Sequence, residues 1–203
     1  MIFATLCNIF CTFSAQLLAF MQIYLYLCTA KHSTFNFRLS TFDYCHHMKL
    51  TLLVVGKTVG TELPKMIDTY VQRLKHYIPF EIQVIPDPKN TKNLTEAQQK
   101  QLEGEAILRA VEGSYVVLLD EHGKEYRSVT FADQLQSWLN TSTRGLTFVI
   151  GGPYGFSEAV YQRADAKISL SQMTFSHQMI RLLFVEQLYR AMTILRGEPY
   201  HHE

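Results

Sequence analysis

From residue 48 onward, apolar and polar positions fall into alternating runs of two kinds. KLTLLVVGK (Lys49 to Lys57) is almost unbroken apolar sequence of strand length. After it, Leu63, Ile67, Tyr70, Val71 and Leu74 recur at the three- and four-residue spacing of one helical face. A second strand is expected over Glu81 to Ile85, stopped by Pro86 and Pro88, with PDPKNTKN as an exposed loop. Thr95 followed by Gln98 has the form of a capping box, which starts a helix running to about Glu112. Three more strands read VVLLD (Val116 to Asp120), LTFVIGG (Leu146 to Gly152) and AKISLSQMTF (Ala166 to Phe175), with helices near Phe131 to Leu139 and Glu158 to Arg163 between them. A terminal helix is expected from about Ser176 to Leu195. Strands joined by crossover helices imply an α/β fold, with a mainly parallel sheet covered by helices on both faces. In such sheets ligands sit at the carboxyl ends of the strands, so the loops after the last three strands are the expected binding cleft.

The terminal helix is apolar around much of its circumference. Met179, Ile180, Leu182, Leu183, Phe184, Val185, Leu188, Ala191, Ile194 and Leu195 exceed the single stripe a surface helix needs. It is expected to be buried on more than one side, either as a central core helix or with one face against a second copy of the chain.

Residues 1 to 47 differ in kind. No charged residue occurs between Met1 and Ala30, and all four cysteines, Cys7, Cys11, Cys28 and Cys45, lie before residue 48. The remainder therefore has no internal disulfide framework. A signal peptide would carry its basic residues ahead of the apolar stretch, whereas Lys31 and Arg38 follow it. A membrane anchor is compatible with the length, although Thr, Asn, Ser and Gln interrupt the run. The abrupt change at a methionine that opens a strand favours a third reading: residues 1 to 47 are an upstream-translated or disordered hydrophobic extension, and residues 48 to 203 form the functional domain.

Several motifs carry little. VVGKTVG ends like a phosphate-binding loop, but residue 51 is Thr where the first glycine is required. GGPYG (Gly151 to Gly155) is not GxGxxG, and Pro153 removes a backbone donor that a pyrophosphate would use. His46, His47, His201 and His202 lack metal-site spacing, so no metal is expected. What remains is the glycine loop, the LSQMTF loop and the polar set His177, Arg181, Glu186, Arg190, Tyr200 and His201. Glu186 and Arg190 can pair across one helical turn, worth a few tenths of a kcal/mol. A charge retained on so apolar a helix also suits a task beyond solubility. His177, near the helix start, suits a cap, a surface position or a catalyst.

The ordered series LDEHGKEY, VIGGPYG and LSQMTFSHQMIRLLFVEQLYRAMTILRGEPYHHE, opened by MKLTLLVVGK, resembles the RlmH (YbeA) family of SPOUT methyltransferases across residues 48 to 203. The resemblance implies a SPOUT-type α/β knot, with a C-terminal trefoil threaded through a loop, in a cytoplasmic homodimer. It implies S-adenosylmethionine as cofactor, held at Leu119, Gly151, Gly152, Leu170, Ser171, Gln172, Met173, Thr174 and Phe175. It implies methylation of N3 of a pseudouridine in helix 69 of large-subunit (23S) ribosomal RNA within the ribosome. Arg190 would then stabilise charge on the base, and His177, Tyr200 and His201 would position it or move its proton, with His201 the favoured base. Where relatives often have proline, this chain has Ser176, itself a good helix cap. A SPOUT enzyme for another RNA base and a non-catalytic ribosome-binding homologue are the alternatives.

Charge bears on the partner. Residues 48 to 203 hold 17 Lys and Arg against 17 Asp and Glu, Lys31, Arg38 and Asp43 being the charged residues outside them. Phosphate contacts supply most non-specific RNA affinity, so a neutral domain should bind free RNA weakly. The expected outcome is slower methylation of protein-free ribosomal RNA than of ribosomes; equal rates in a side-by-side assay would overturn this.

Overall fold

A computed structural model describes residues 48–88, 94–142 and 144–201. The extension at residues 1–47 and most of the loop after Pro88 lie outside the described residues. Ten elements alternate in chain order: β1 (Leu50–Val55), α1 (Glu62–Leu74), β2 (Phe80–Ile85), α2 (Glu96–Ala110), β3 (Tyr115–Glu125), α3 (Ser128–Thr141), β4 (Leu146–Ile150), α4 (Glu158–Arg163), β5 (Ala166–Ser169) and α5 (Met179–Arg196). The sheet order is β2-β1-β4-β3-β5, and every neighbouring pair is parallel.

The central strands explain the continuous apolar runs. Every residue of β1 and of β4 is buried, because helices cover both faces. Alternate residues divide between two cores. Leu50, Leu52, Val54, Phe148 and Ile150 face one, shared with α1, α3 and α5; Leu53, Val55, Val116, Leu118 and Val149 face the other, shared with α2 and α4. In the first core the rings of Phe148 and Phe184 lie 4.8 Å apart between centroids, joining the sheet to α5.

The capping box holds as expected: Thr95 Oγ1 accepts from the Gln98 N–H, and the Gln98 side chain accepts from the Thr95 N–H. Ser176 also caps. Its hydroxyl accepts from the Met179 N–H and its carbonyl from the Ile180 N–H, so α5 is initiated there although its regular turns begin at Met179.

The strand ends that depart most from the sequence reading are those of β3 and β5; β4 stops at Ile150, two residues short of the expected Gly152. β3 does not stop at Asp120. It pairs with β5 at Leu119, loops outward, and pairs again at Lys124, so that Leu119 and Lys124 both register with Ile168. Gly123 permits this, since a Cβ there would strike the Ile168 backbone. Conversely, β5 ends at Ser169, and LSQMTF is loop rather than strand. That loop carries α5 from the sheet margin at β5 back over β1, where it packs on α1 and α3.

The attachment of α5 to β1 depends on one side chain. Arg181 is 1% exposed, and its guanidinium donates to the carbonyls of Val55 (2.6 Å) and Gly56 (3.0 Å), to Thr58 Oγ1 (3.0 Å) and to the His177 carbonyl (3.0 Å). Burial lowers its proton affinity and Asp87 opposes that, yet an arginine keeps its charge. In α5, Leu182, Phe184, Val185, Leu188, Ala191 and Met192 are buried within one copy, while Met179 remains 46% exposed and Leu183 half-buried. Among the described residues no helix is long and apolar enough to cross a membrane.

Arg181→Met should destabilise the domain by about 3 to 5 kcal/mol, because the buried carbonyls of Val55 and Gly56 lose their guanidinium donors. Urea denaturation monitored by circular dichroism checks this; a loss below about 1 kcal/mol would refute the clamp.

Candidate active site

The carboxyl ends of β3 and β4 and the loop after β5 surround a cavity of about 620 Å³. Small-molecule sites typically measure about 300 to 1,000 Å³. Of the nine residues expected to hold a cofactor, Leu119, Gly151, Gly152, Leu170, Ser171, Met173, Thr174 and Phe175 line it. Gln172 does not; its amide reaches the Glu125 carboxylate instead, at 3.5 Å.

The looped-out part of β3 adds Asp120, Glu121 and His122 to the wall, and α4 adds Tyr161. Sequence reasoning missed all four, since the excursion is set by pairing with a strand some 45 residues later. Asp120 accepts from the His122 N–H at 2.8 Å and from the Tyr161 hydroxyl, and the His122 ring Nδ1 lies 3.2 Å away. Burial disfavours its charge, but these donors outweigh it and hold the carboxyl below its ordinary range. Burial, reinforced by Asp120, pushes the Tyr161 phenol well above its usual value, so it remains a donor.

The glycine turn is fixed from behind. A Cβ on Gly152 would strike the Glu103 carboxylate of α2, and one on Gly151 would meet the Phe156 ring at 3.1 Å. Gly155, at φ +80°, donates to the Gly152 carbonyl and closes the turn. Both glycines line the cavity, while Glu103 and Phe156 occupy the places their side chains would need. Glu103 is 2% exposed; Gln99 donates to its Oε1 at 2.7 Å, and its Oε2 has no hydrogen-bond partner among the described residues. Burial pushes its carboxyl above the ordinary range, with Asp87 adding to the rise.

The four expected catalytic residues are not gathered in one cavity. His177 lines the 620 Å³ cavity; burial and the Arg181 charge lower its proton affinity, with Asp87 opposing. His201 lines a second cavity of about 550 Å³ beside Tyr126, Arg127 and Gln187, and Ser169, Leu170 and Phe175 border both spaces. Arg190 forms the helical pair that its spacing allows, with Nη2 2.6 Å and Nε 3.1 Å from Glu186 Oε1, and its guanidinium lies 5.0 Å from the Tyr200 ring centroid. Tyr200 donates to Glu186 at 3.2 Å and packs edge-on against Tyr189 at 4.8 Å. Burial, with Tyr70 and Glu186 adding to it, raises the Tyr200 phenol far above its usual range. Among the described residues no group of His, Cys, Asp or Glu could hold a metal ion.

This site can be set beside known proteins. The family model described as "Predicted SPOUT methyltransferase" matches residues 48–201. Proteins named ribosomal RNA large subunit methyltransferase H from Parabacteroides distasonis and Bacteroides thetaiotaomicron are each 62% identical over 157 residues, covering 77% of this chain and 100% of the relative. The chain belongs to the SPOUT methyltransferase family, in its RlmH branch. Flavobacterium johnsoniae has a protein of the same name at 54% identity, with the same coverage. A solved structure of a probable methyltransferase from Bordetella pertussis Tohama I covers 75% of this chain and 98% of its own, at 10% identity and a TM-score of 0.45.

Within this SPOUT domain, Gly152→Ala should cost about 2 to 3 kcal/mol by displacing the Glu103 carboxylate, and Glu103→Ala should recover most of that in a double-mutant cycle. The raised carboxyl of Glu103 has a second consequence. Its favourable contribution is complete below the unfolded value of 4.5 and is lost as pH rises through the higher folded value. Compared with Glu103→Gln, the wild type should therefore lose stability over that interval; parallel stability–pH curves would refute it.

Proposed function

We propose that residues 48–203 transfer a methyl group from S-adenosylmethionine to N3 of a pseudouridine in helix 69 of large-subunit ribosomal RNA, on the assembled ribosome in the cytoplasm and as a homodimer. The observation that carries this reading is the match over the full length of relatives bearing the ribosomal methyltransferase name. The cavity supports it. A nucleoside joined to a sulfonium needs apolar walls, backbone groups at close range and compensating negative charge; Leu119, Met173 and Ile180, the Gly151–Gly155 turn, and Asp120 with Glu121 supply these in turn. When bound, S-adenosylmethionine supplies the electrophilic methyl group.

The protein's own task is the imide proton. If the N3 pKa stands about 2 to 3 units above the ambient pH, forming the anion costs roughly 3 to 4 kcal/mol. Arg190 is the candidate for offsetting that charge. In the resting chain its guanidinium is occupied by Glu186, which keeps it oriented along α5 and restrains Tyr200 as well. His177, with its proton affinity lowered by burial, is a neutral candidate acceptor in the cavity; His201 is a second, reached from the adjoining space. A complete site is assembled in this reading when a second copy brings its tail to the cavity. Apolar side chains left exposed around the cavity and on α5 favour such a partner: Met173 is 74% exposed, Met179 46% and Phe175 43%. The knot expected of the family belongs to the same proposal, supported by the path from β5 over the sheet end to the Arg181 clamp on β1.

Labelled S-adenosylmethionine, ribosomes lacking the helix 69 modification and mapping of the methylated nucleotide test the reaction. Transfer to the pseudouridine N3 by the full chain and equally by residues 48–203 is expected. Label on another base would preserve the enzyme class and replace the substrate, while cofactor binding without transfer would favour a non-catalytic ribosome-binding role. Arg190→Ala should lower kcat by about 100-fold or more with cofactor affinity unchanged, an effect on the scale of lost charge stabilisation in a transition state.

A further inference from the structure

The β3 wall of the cavity carries a negative charge whose effect on the choice between ligands the proposed reaction leaves open. The Asp120 side chain is 7% exposed and lines the cavity from the looped-out segment of β3. Three donor groups converge on it: the Tyr161 hydroxyl, the His122 N–H and the His122 ring. Among the described residues its ion-pair partner is His122, itself 78% exposed, and none of their lysines or arginines is paired with it. A carboxylate held ionised at this depth without a fixed cation is unusual, since burial of charge is costly unless it is compensated. The open side of Asp120 is the cavity.

A methyl donor and its spent form share adenosine and an amino-acid end; they differ by one methyl and by the positive charge on sulfur. Coulomb attraction inside a partly dehydrated cavity acts on that difference directly. We propose that Asp120 is a specificity-determining residue that reads the sulfonium charge, so that the site prefers S-adenosylmethionine to the neutral thioether S-adenosylhomocysteine and releases the latter after transfer. Tyr161 and His122 position the carboxylate, and α4 is the element that brings Tyr161 to it. The inference rests on the cofactor reading above.

Calorimetric titration of the full chain with each ligand separates the possibilities. In the wild type S-adenosylmethionine should bind more tightly than S-adenosylhomocysteine, with the ratio narrowing as salt rises. Asp120→Asn should weaken S-adenosylmethionine by roughly tenfold, the order expected of one partly screened charge pair, and leave S-adenosylhomocysteine within about twofold. Retained binding of the thioether also reports an intact fold. Asp120→Glu should keep the wild-type preference. Equal weakening of both ligands would place Asp120 on the shared ribose or amino-acid part and overturn the proposal, as would no change in either. If Asp120→Asn binds neither, the Glu variant and the wild-type salt dependence decide: loss of preference in the former, or a salt-independent ratio, overturns it. A wild type that binds neither ligand overturns the cofactor reading itself.

Discussion

A single buried cation ties the end of the first strand to the start of the last helix. Arg181 lies within a largely apolar helix and satisfies its donors on two β1-end carbonyls, a hydroxyl and the His177 carbonyl just ahead of α5. None of these acceptors carries a charge, so the clamp avoids the exposure to pH that a carboxylate partner would bring, and it fixes direction as well as distance. The strand ends, the glycine turn and the loop after β5 are placed around this junction. His177 lies four residues before Arg181, so the clamp also sets where the histidine enters the cavity.

The glycine turn illustrates how support and binding divide between two sides of one backbone. Glu103 and Phe156 occupy the positions that side chains at 152 and 151 would need. The turn is held in shape before any ligand arrives, so its backbone groups face the cavity already ordered. At Gly104 the same economy recurs: α2 approaches so closely that a Cβ would strike the Ser157 side chain at the start of α4. Adjacent residues of α2 thus brace both ends of the Gly151–Ser157 segment.

What could be read from the sequence was whatever is encoded locally. The capping box at Thr95, the buried β1 and β4 runs and the helical pairing of Glu186 with Arg190 depend on neighbours three or four residues away, or on uniform burial. The α/β class with a parallel sheet follows from their alternation. The true end of β3 was hidden, because the excursion at Asp120 is dictated by the register with β5 and by the close approach at Gly123. The role of Arg181 was hidden for the same reason: its acceptors lie some 125 positions earlier. Gly152 was legible as a necessary glycine, but its reason was not, since Glu103 comes from a different helix. Of the cavity lining, eight positions were named through family resemblance, whereas the carboxylate at 120 had no local signal.

Packing between chain ends bears on how the molecule is made. α1, the first helix of the domain, is completed by residues near the opposite terminus: Tyr189 packs on Tyr70 and Tyr77, and Glu198 accepts from the Tyr77 hydroxyl at 2.5 Å. Until those residues emerge from the ribosome, the nascent sheet has an uncovered face and an unclamped β1 end. Long-range closure of this kind slows folding and prolongs the exposure of apolar surface. Closure over α1 therefore comes late in synthesis, and a truncation that reached back to Tyr189 would strip the ring contacts from Tyr70 and Tyr77.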